Sequence, residues 1–321
     1  VRRMNLKDPG DRAAFLELVA GADIVVEGFR PGVMQRLGID YPVLSQVNPG
    51  VILCSISGYG IDVPYATRAG HDANYLALMG VAHRNGGQMP AFFDPPMADG
   101  AGSLFAAMTI LGALHGRTRT GRGCAIDLAL ADTVMPLQMM QIAGFGASGT
   151  VLERGQYYLN GGAAYYQVYA LNDGRFAVLG AVEPKFWANF CTLANRPDLI
   201  ERHADPMPQT ALQAEVATIF DSMSAEEAET RFGAADCCFS VVNDLGEALA
   251  HSHVRDRQLV RPSDSGDLQA LFPVWIDGLP SDCRPDIAEI NQDHATRWTA
   301  RPLDHPDEPT HFEINLKTGN M

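Results

Sequence analysis

Four polar segments lie where the chain bends between apolar stretches, and each carries side chains able to move protons or bind anions. Ala69-Gly-His-Asp72 sets a histidine beside an aspartate at the start of an apolar helical pattern. An imidazole titrates near neutrality, so His71 beside Asp72 is a candidate general base, while an Asp at such a position is also an ordinary helix N-cap. Met97-Ala-Asp-Gly-Ala-Gly-Ser103 puts Asp99 ahead of two glycines and a second apolar helix. Glycines let a ligand approach the backbone, and the free N–H groups of a helix start can hold an oxyanion. Asp99 then fits an acid, a base, a nucleophile or a cap. In Gly180-Ala-Val-Glu-Pro184, Glu183 stands between a strand and a helix, where partial burial would raise its pKa. The plain alternative is a glutamate attracted by the helix dipole. Glu27-Gly-Phe-Arg-Pro-Gly32 turns on its glycines and proline after a strand, and Arg30 and Arg36 beside it can meet phosphates or simply face solvent.

The elements that must position these residues alternate. Apolar spacing predicts a helix over residues 11–19 and β-branched runs predict buried strands over 24–26 and 51–56. Helix, strand, helix, strand at this interval predicts an α/β layer with a parallel sheet. Apolar helices are expected over 73–83 and 103–114, a strand over 176–179, and a helix opened by Pro184 at its favoured first-turn position. Amphipathic helices follow over 210–220 and 224–232. After Pro262 the chain is rich in Pro, Asp and Gly, which predicts an irregular tail.

Composition removes several function classes. The 321 residues carry 24 Lys+Arg against 38 Asp+Glu, a net charge of −14, which opposes sequence-independent nucleic-acid binding while leaving room for a local basic pocket. With 46% hydrophobic residues the chain can bury a sizeable core. No uninterrupted apolar run of about 18 residues suggests a membrane span. Six cysteines without a CxxC pair are expected to be reduced, mostly buried thiols of a cytoplasmic protein. His251-Ser252-His253 lacks a nearby carboxylate or cysteine cluster and reads as a helix-end pair rather than a metal site.

In order and spacing, the segments together resemble the family III CoA-transferase and α-methylacyl-CoA racemase superfamily. The resemblance runs from Arg3 to Arg255 and includes Met4-Asn-Leu-Lys-Asp-Pro9, Gly28-Phe-Arg-Pro-Gly32, Ser57-Gly-Tyr-Gly60, Gly70-His-Asp-Ala-Asn-Tyr75, Asp99-Gly-Ala-Gly-Ser103, Gly121-Arg-Gly123, Asn160-Gly-Gly-Ala-Ala-Tyr-Tyr166 and Gly180-Ala-Val-Glu-Pro184. The racemase branch is the more similar, because His71-Asp72, Asp99 and Glu183 all have counterparts there, whereas the transferases use the Asp99 counterpart as a nucleophile and generally lack the others. The resemblance implies a Rossmann-like parallel-sheet large domain with a smaller α+β domain, in an interlocked homodimer. It implies a CoA-binding large domain over residues 1–140, a linker and small domain over 141–250, and a return segment and irregular tail over 251–321. An N-terminal segment that family members carry is expected to be missing from the large domain. The implied activity is inversion at C2 of a 2-methylacyl-CoA, with His71, Asp99, Glu183 and Asp72 catalytic. The alternatives are a CoA-transferase and an inactive truncated homologue. Donors at the Asp99–Gly100 turn are expected to hold the enolate oxygen. CoA is expected along Lys7, Gly28, Phe29, Arg30, Arg36, Gly70, Ala73, Asn74 and Tyr75, as part of the substrate, with no metal, redox cofactor, nucleic acid or membrane.

Overall fold

The computed structural model describes residues 3–284, in a mixed α/β fold whose contacts divide into two compact units, residues 3–151 and 152–284. The expected boundary at residue 140 falls inside a helix of the first unit.

The first unit begins with α1 (Pro9–Val19), capped by the Asp8 carboxylate, which accepts from the Gly10 and Asp11 N–H groups. β1 (Ile24–Glu27), α2 (Val33–Leu37), α3 (Tyr41–Val47) and β2 (Ile52–Ser57) follow. After α4 (Asp72–Leu78) come α5 (Met97–Thr120), β3 (Ala125–Ala129) and α6 (Met139–Ser148). The sheet has the order β1-β2-β3 and is parallel throughout, with Ile24 opposite Ile52 and Leu53 opposite Ala125. Successive β2 residues point to opposite faces. Leu53 joins a cluster with Val19, Met34, Ile39 and Leu44 from α1 to α3, while Cys54 joins Ala106 and Ile110 of α5. Helices thus cover both faces of the strand at the centre, as a parallel sheet requires.

α5 is long and apolar enough to cross a membrane, yet Ala98, Ala101, Ala106 and Ile110 form a face buried in the unit. Its other side leaves Leu104, Met108 and Leu111 exposed, and α6 likewise exposes Met139, Met140, Ile142 and Phe145. The helix ends at Gly121 in the left-handed region (φ +69°), with Arg117 reaching Asp23 at 2.6 Å. Gly123 passes so close to the start of β2 that a Cβ there would lie 1.8 Å from the Val51 carbonyl oxygen.

The second unit holds an antiparallel sheet of β4 (Tyr166–Ala170), β5 (Phe176–Gly180) and, after the helices, β6 (Phe239–Val241), in the order β4-β5-β6. Between β5 and β6 run α7 (Pro184–Leu193), α8 (Thr210–Asp221) and α9 (Ala225–Ala228). Their apolar faces meet the sheet around Trp187, Phe190, Phe220 and Phe232, all fully buried. Arg196 and Arg202 both bind the Glu215 carboxylate across this helical layer, and Arg196 also holds Asp198 at 2.7 Å. The segment then passes through α10 (Leu245–Ala250) and α11 (Ser252–Asp256).

Several expectations need correction. The helix predicted over 73–83 stops at Leu78, where Gly80 turns the chain with a φ of +77°. The helix predicted over 224–232 is α-helical only to Ala228, after which Glu229–Gly233 widens into a π turn. The stretch after Pro262 is not wholly irregular, because β7 (Val260–Pro262) and β8 (Leu268–Ala270) pair antiparallel. The last part of the expected tail lies outside the described residues. All six cysteines are free, but only Cys54, Cys191 and Cys237 are buried; Cys238 is exposed. His251 caps α11, its Nδ1 accepting from the His253 N–H at 3.2 Å, as a helix-end pair should.

Three stability outcomes follow from this packing. Gly123→Ala drives a methyl into backbone, a close-packing violation costing about 1–3 kcal/mol, so calorimetry should show a melting temperature lower by roughly 3–10 °C. Gly112→Ala in α5, where a Cβ meets nothing within 4 Å, should instead leave it unchanged or raise it. Hydrogen bonds from the arginines lower the pKa of Glu215 below its ordinary 4.5 and that of Asp198 below its ordinary 3.8. A depressed folded-state pKa contributes stability above the ordinary value and loses it as acid takes the pH down through the folded value. The stability gap between the parent and Glu215→Gln in urea titrations should therefore be largest near neutrality and close below about pH 4.5.

Candidate active site

In α/β proteins ligands bind beyond the carboxyl ends of parallel strands, and three turns gather there. After β1, the Glu27 carboxylate accepts from the Phe29 N–H at 2.7 Å and shapes the Gly28–Arg30 turn, leaving Phe29, Arg30 and Arg36 exposed. After β2, Ser57 Oγ accepts from the Gly60 N–H at 2.9 Å. After β3, the Leu130 and Ala131 N–H groups donate to the Ser57 and Gly58 carbonyls at 2.8 and 3.0 Å. Lys7 is also exposed, at the end of α1 away from its turn into β1.

Gly58 and Gly70 are small because tyrosines pass against them. A Cβ on Gly58 would stand 2.5 Å from Tyr75 Oη, and one on Gly70 2.5 Å from Tyr59 Oη. The Tyr75 hydroxyl donates to the Gly70 carbonyl at 2.7 Å, and the Tyr59 and Tyr75 rings meet edge to face with centroids 5.1 Å apart. Of the residues expected along CoA, Tyr75 is thus buried with its hydroxyl engaged, while Ala73 and Asn74 are exposed. Tyr59 did not stand out by residue type; its only sequence signal is its place between Gly58 and Gly60.

His71, Asp72 and Asp99 are brought together by a bond between two helices. His71 is the N-cap of α4, and Asn74 Oδ1 accepts from its backbone N–H at 3.0 Å. The Asp72 carboxylate does not serve its own helix. Its Oδ1 accepts from the N–H groups of Ala98 at 2.6 Å and Asp99 at 3.1 Å, so a residue of α4 caps α5. Two expectations are corrected here. The Asp99-Gly-Ala-Gly segment is no turn, because α5 already begins at Met97. Nor are its donors open to an enolate oxygen, since Asp72 takes two of them and the Gly100 N–H bonds the Pro96 carbonyl at 3.2 Å. The glycines serve packing instead. A Cβ on Gly102 would sit 2.3 Å from Leu130 Cδ2, so the missing side chain lets α5 close onto the turn after β3.

Asp99 is solvent-accessible, yet its pKa is raised above the ordinary 3.8. Desolvation is the largest cause, the Asp72 charge adds to it, and His71 opposes both. An imidazole and a carboxyl group that holds its proton more tightly than usual therefore share one helix junction. Such a pair can take a proton from carbon and return one.

Glu183 belongs to the second unit, as the N-cap of α7 on extended backbone. Its carboxylate makes no capping bond and is exposed, which corrects the expected partial burial. The Glu183 charge is felt by the Cys238 thiol, whose pKa is raised first by burial and next by that charge. Among the described residues, no three His, Cys, Asp or Glu side chains converge as metal ligands would.

Residues 2–294 match CoA-transferase family III, and the chain belongs to that family. It is 32% identical over 269 residues to the human alpha-methylacyl-CoA racemase, covering 83% of this chain and 70% of that protein. It is 28% identical to the succinyl-CoA–L-malate CoA-transferase beta subunit of Chloroflexus aurantiacus, over 83% of this chain and 68% of that one. A CaiB/BaiF family crystal structure from Brucella suis superposes with a TM-score of 0.74 at 25% identity, covering 86% of this chain and 75% of that chain. The relatives thus include both racemases and CoA-transferases.

Asp72→Asn keeps an oxygen acceptor for the two N–H groups while removing the charge that helps to raise the Asp99 pKa. A carbon-13 NMR titration of the Asp99 carboxyl should then move to lower pH in the variant, with the melting temperature held close to that of the parent. An unmoved midpoint would assign the whole shift to desolvation.

Proposed function

We propose that the protein is a racemase or epimerase that inverts C2 of 2-methylacyl-CoA thioesters through an enolate. The observation that carries this reading is the junction of α4 and α5, where His71 and the raised-pKa carboxyl of Asp99 stand within electrostatic reach of each other. Inversion needs exactly this kind of provision in chemical terms: one group to take the α-proton and another to return a proton to the opposite face. One member of the pair removes the proton and the electron pair moves onto the thioester oxygen. The other then protonates C2 from the far side and the carbonyl re-forms. Asp72 holds the α5 start and adds negative charge beside Asp99. Glu183 is proposed as a further carboxylate on which the exchange depends, on the strength of the family segment that contains it.

For the CoA moiety we assign the exposed cations Lys7, Arg30 and Arg36 to the phosphates, with Gly28 and Phe29 shaping the turn between them. The proposed reaction is acid–base chemistry and draws on neither a redox cofactor nor a metal. A homodimer is part of the proposal, supported by the exposed apolar sides of α5 and α6, and a cytoplasmic location is proposed with it. The second reading, CoA transfer through an aspartyl thioester on Asp99, is favoured by the transferases among the relatives.

Incubation of a (2R)-2-methylacyl-CoA with the enzyme in D₂O separates the two. The racemase reading expects deuterium at C2, a near-equal epimer mixture and no hydroxylamine-trapped adduct on Asp99. His71→Ala should slow the exchange by about 10²-fold or more. Trapped aspartyl hydroxamate without deuterium uptake would establish the transferase instead.

A further inference from the structure

Glu183 presents an exposed carboxylate from a backbone held on both sides by one segment. The 3₁₀-helical run Pro197–Ala204 reaches the chain just before Glu183 through His203, whose Nε2 bonds the Val182 carbonyl at 2.9 Å. It reaches the chain just after Glu183 through Leu199, whose carbonyl accepts from Trp187 Nε1 at 3.0 Å. Because a carbonyl only accepts, His203 must carry its proton on Nε2. The ring has little freedom to leave, being stacked on Tyr165 with centroids 4.3 Å apart and planes 17° from parallel. Its own backbone is held as well. The buried Gln209 donates from Nε2 to the His203 and Asp205 carbonyls, both at 3.0 Å, while its Oε1 accepts from the Ala164 N–H at 3.0 Å. On the strand side, the Gly180 N–H donates to the Cys238 carbonyl at 2.8 Å and the Val182 N–H folds back to the Gly180 carbonyl at 2.9 Å.

We propose that His203 is a positioning residue for the reaction: its Nε2–H fixes the Val182 carbonyl and thereby the direction in which Glu183 leaves the backbone. The proposal rests on the reading that the exchange depends on Glu183. The cap geometry supports it. A glutamate at an N-cap that does not bond its own helix gains no side-chain restraint from α7, so the backbone is what sets the direction of its Cα–Cβ bond. Val182 is the residue whose ψ sets that backbone. Its carbonyl is held by the Nε2–H of His203, a ring clamped against a buried tyrosine. The Tyr165 ring in turn packs edge-on against Trp187, with centroids 6.3 Å apart, so both braces share one aromatic wall.

Two variants separate the bond from the stack. His203→Phe keeps a ring on Tyr165 and removes the donor; His203→Gln keeps an N–H donor and removes the stack. Each is read for melting temperature, for kcat and KM of α-proton exchange in D₂O, and for hydrogen–deuterium exchange of the amides from Gly180 to Ala188, a readout independent of any activity. The expectation for His203→Phe is a melting temperature near the parent's, faster amide exchange at Val182, Phe186 and Trp187, kcat lower by roughly 10- to 100-fold and KM within about twofold. His203→Gln should recover most of kcat despite a lower melting temperature, a crossing of the two measurements that a purely structural role does not produce. In a Glu183→Gln background, His203→Phe should have no further effect on kcat. Unchanged amide exchange in His203→Phe overturns the proposal, as does retained kcat. If Glu183→Gln also retains kcat, the failure lies in the assignment of Glu183; if the parent exchanges no α-proton, it lies in the racemase reading; in both cases a positioning role for the reaction is overturned, and amide exchange reports only whether His203 braces the turn. If Glu183→Gln loses kcat while His203→Phe keeps it, the positioning role alone is wrong.

Discussion

The carboxylate of Asp72 is the tie on which the first unit's candidate site depends. By accepting from two N–H groups at the start of α5, it joins the element after β2 to the helix that covers the sheet. An N-cap is worth about 1 kcal/mol, but this one also has a geometric effect. A cap supplied by the preceding helix sets the axial position and rotation of α5, and hence where Asp99 emerges from it. Desolvation is the largest cause of the raised Asp99 pKa, and the same bond adds the Asp72 charge to it, against the pull of the helix dipole, which favours a charged carboxylate in the first turn. Structure and acid–base tuning are therefore one interaction here.

Close approach elsewhere in that unit follows the same economy. Gly58, Gly70 and Gly102 are not open floors for a ligand; they admit the Tyr75 hydroxyl, the Tyr59 hydroxyl and a leucine methyl. The tyrosines fill the space above the carboxyl end of β2, and the loops there are ordered by packing before any substrate arrives. The exposed cations beside the first turn are left as the part of this edge able to meet anions, in a chain whose net charge is −14. Local charge, not the total, governs such recognition.

The second unit handles its carboxylate differently. Glu183 is neither buried nor bonded to its helix; instead the chain on either side of it is held by the Leu199 carbonyl and His203, and the segment that supplies both braces is tied down by Gln209 and the Arg196–Arg202–Glu215 ion network. Surface ion pairs of this kind add little stability individually. Sharing one carboxylate between two arginines does, however, restrict three side chains at once and holds the run Pro197–Ala204 against α8.

The residue order itself determined the alternation of helices and strands, the family, and the segments that hold His71, Asp72, Asp99 and Glu183. These follow from local rules: β-branched runs make buried strands, Pro opens α7, and glycine-bearing turns end parallel strands. β3 escaped such rules because Ala125-Ile-Asp-Leu-Ala129 has little strand propensity of its own, and its conformation comes from pairing with β2. The β7–β8 pairing was hidden for the same reason, with Pro262 at its edge. Tertiary structure alone decided that Asp72 caps a helix distant in sequence, because a carboxylate's choice between its own helix and another depends on which N–H groups packing brings within reach. It likewise decided that the glycines around Asp99 are helical, that Glu183 is exposed, and that His203, one histidine among nine, stands under the turn carrying Glu183. The Asp72 cap and the His203 bond are long-range contacts between polar groups, and spacing along the chain carries no record of which polar groups will meet.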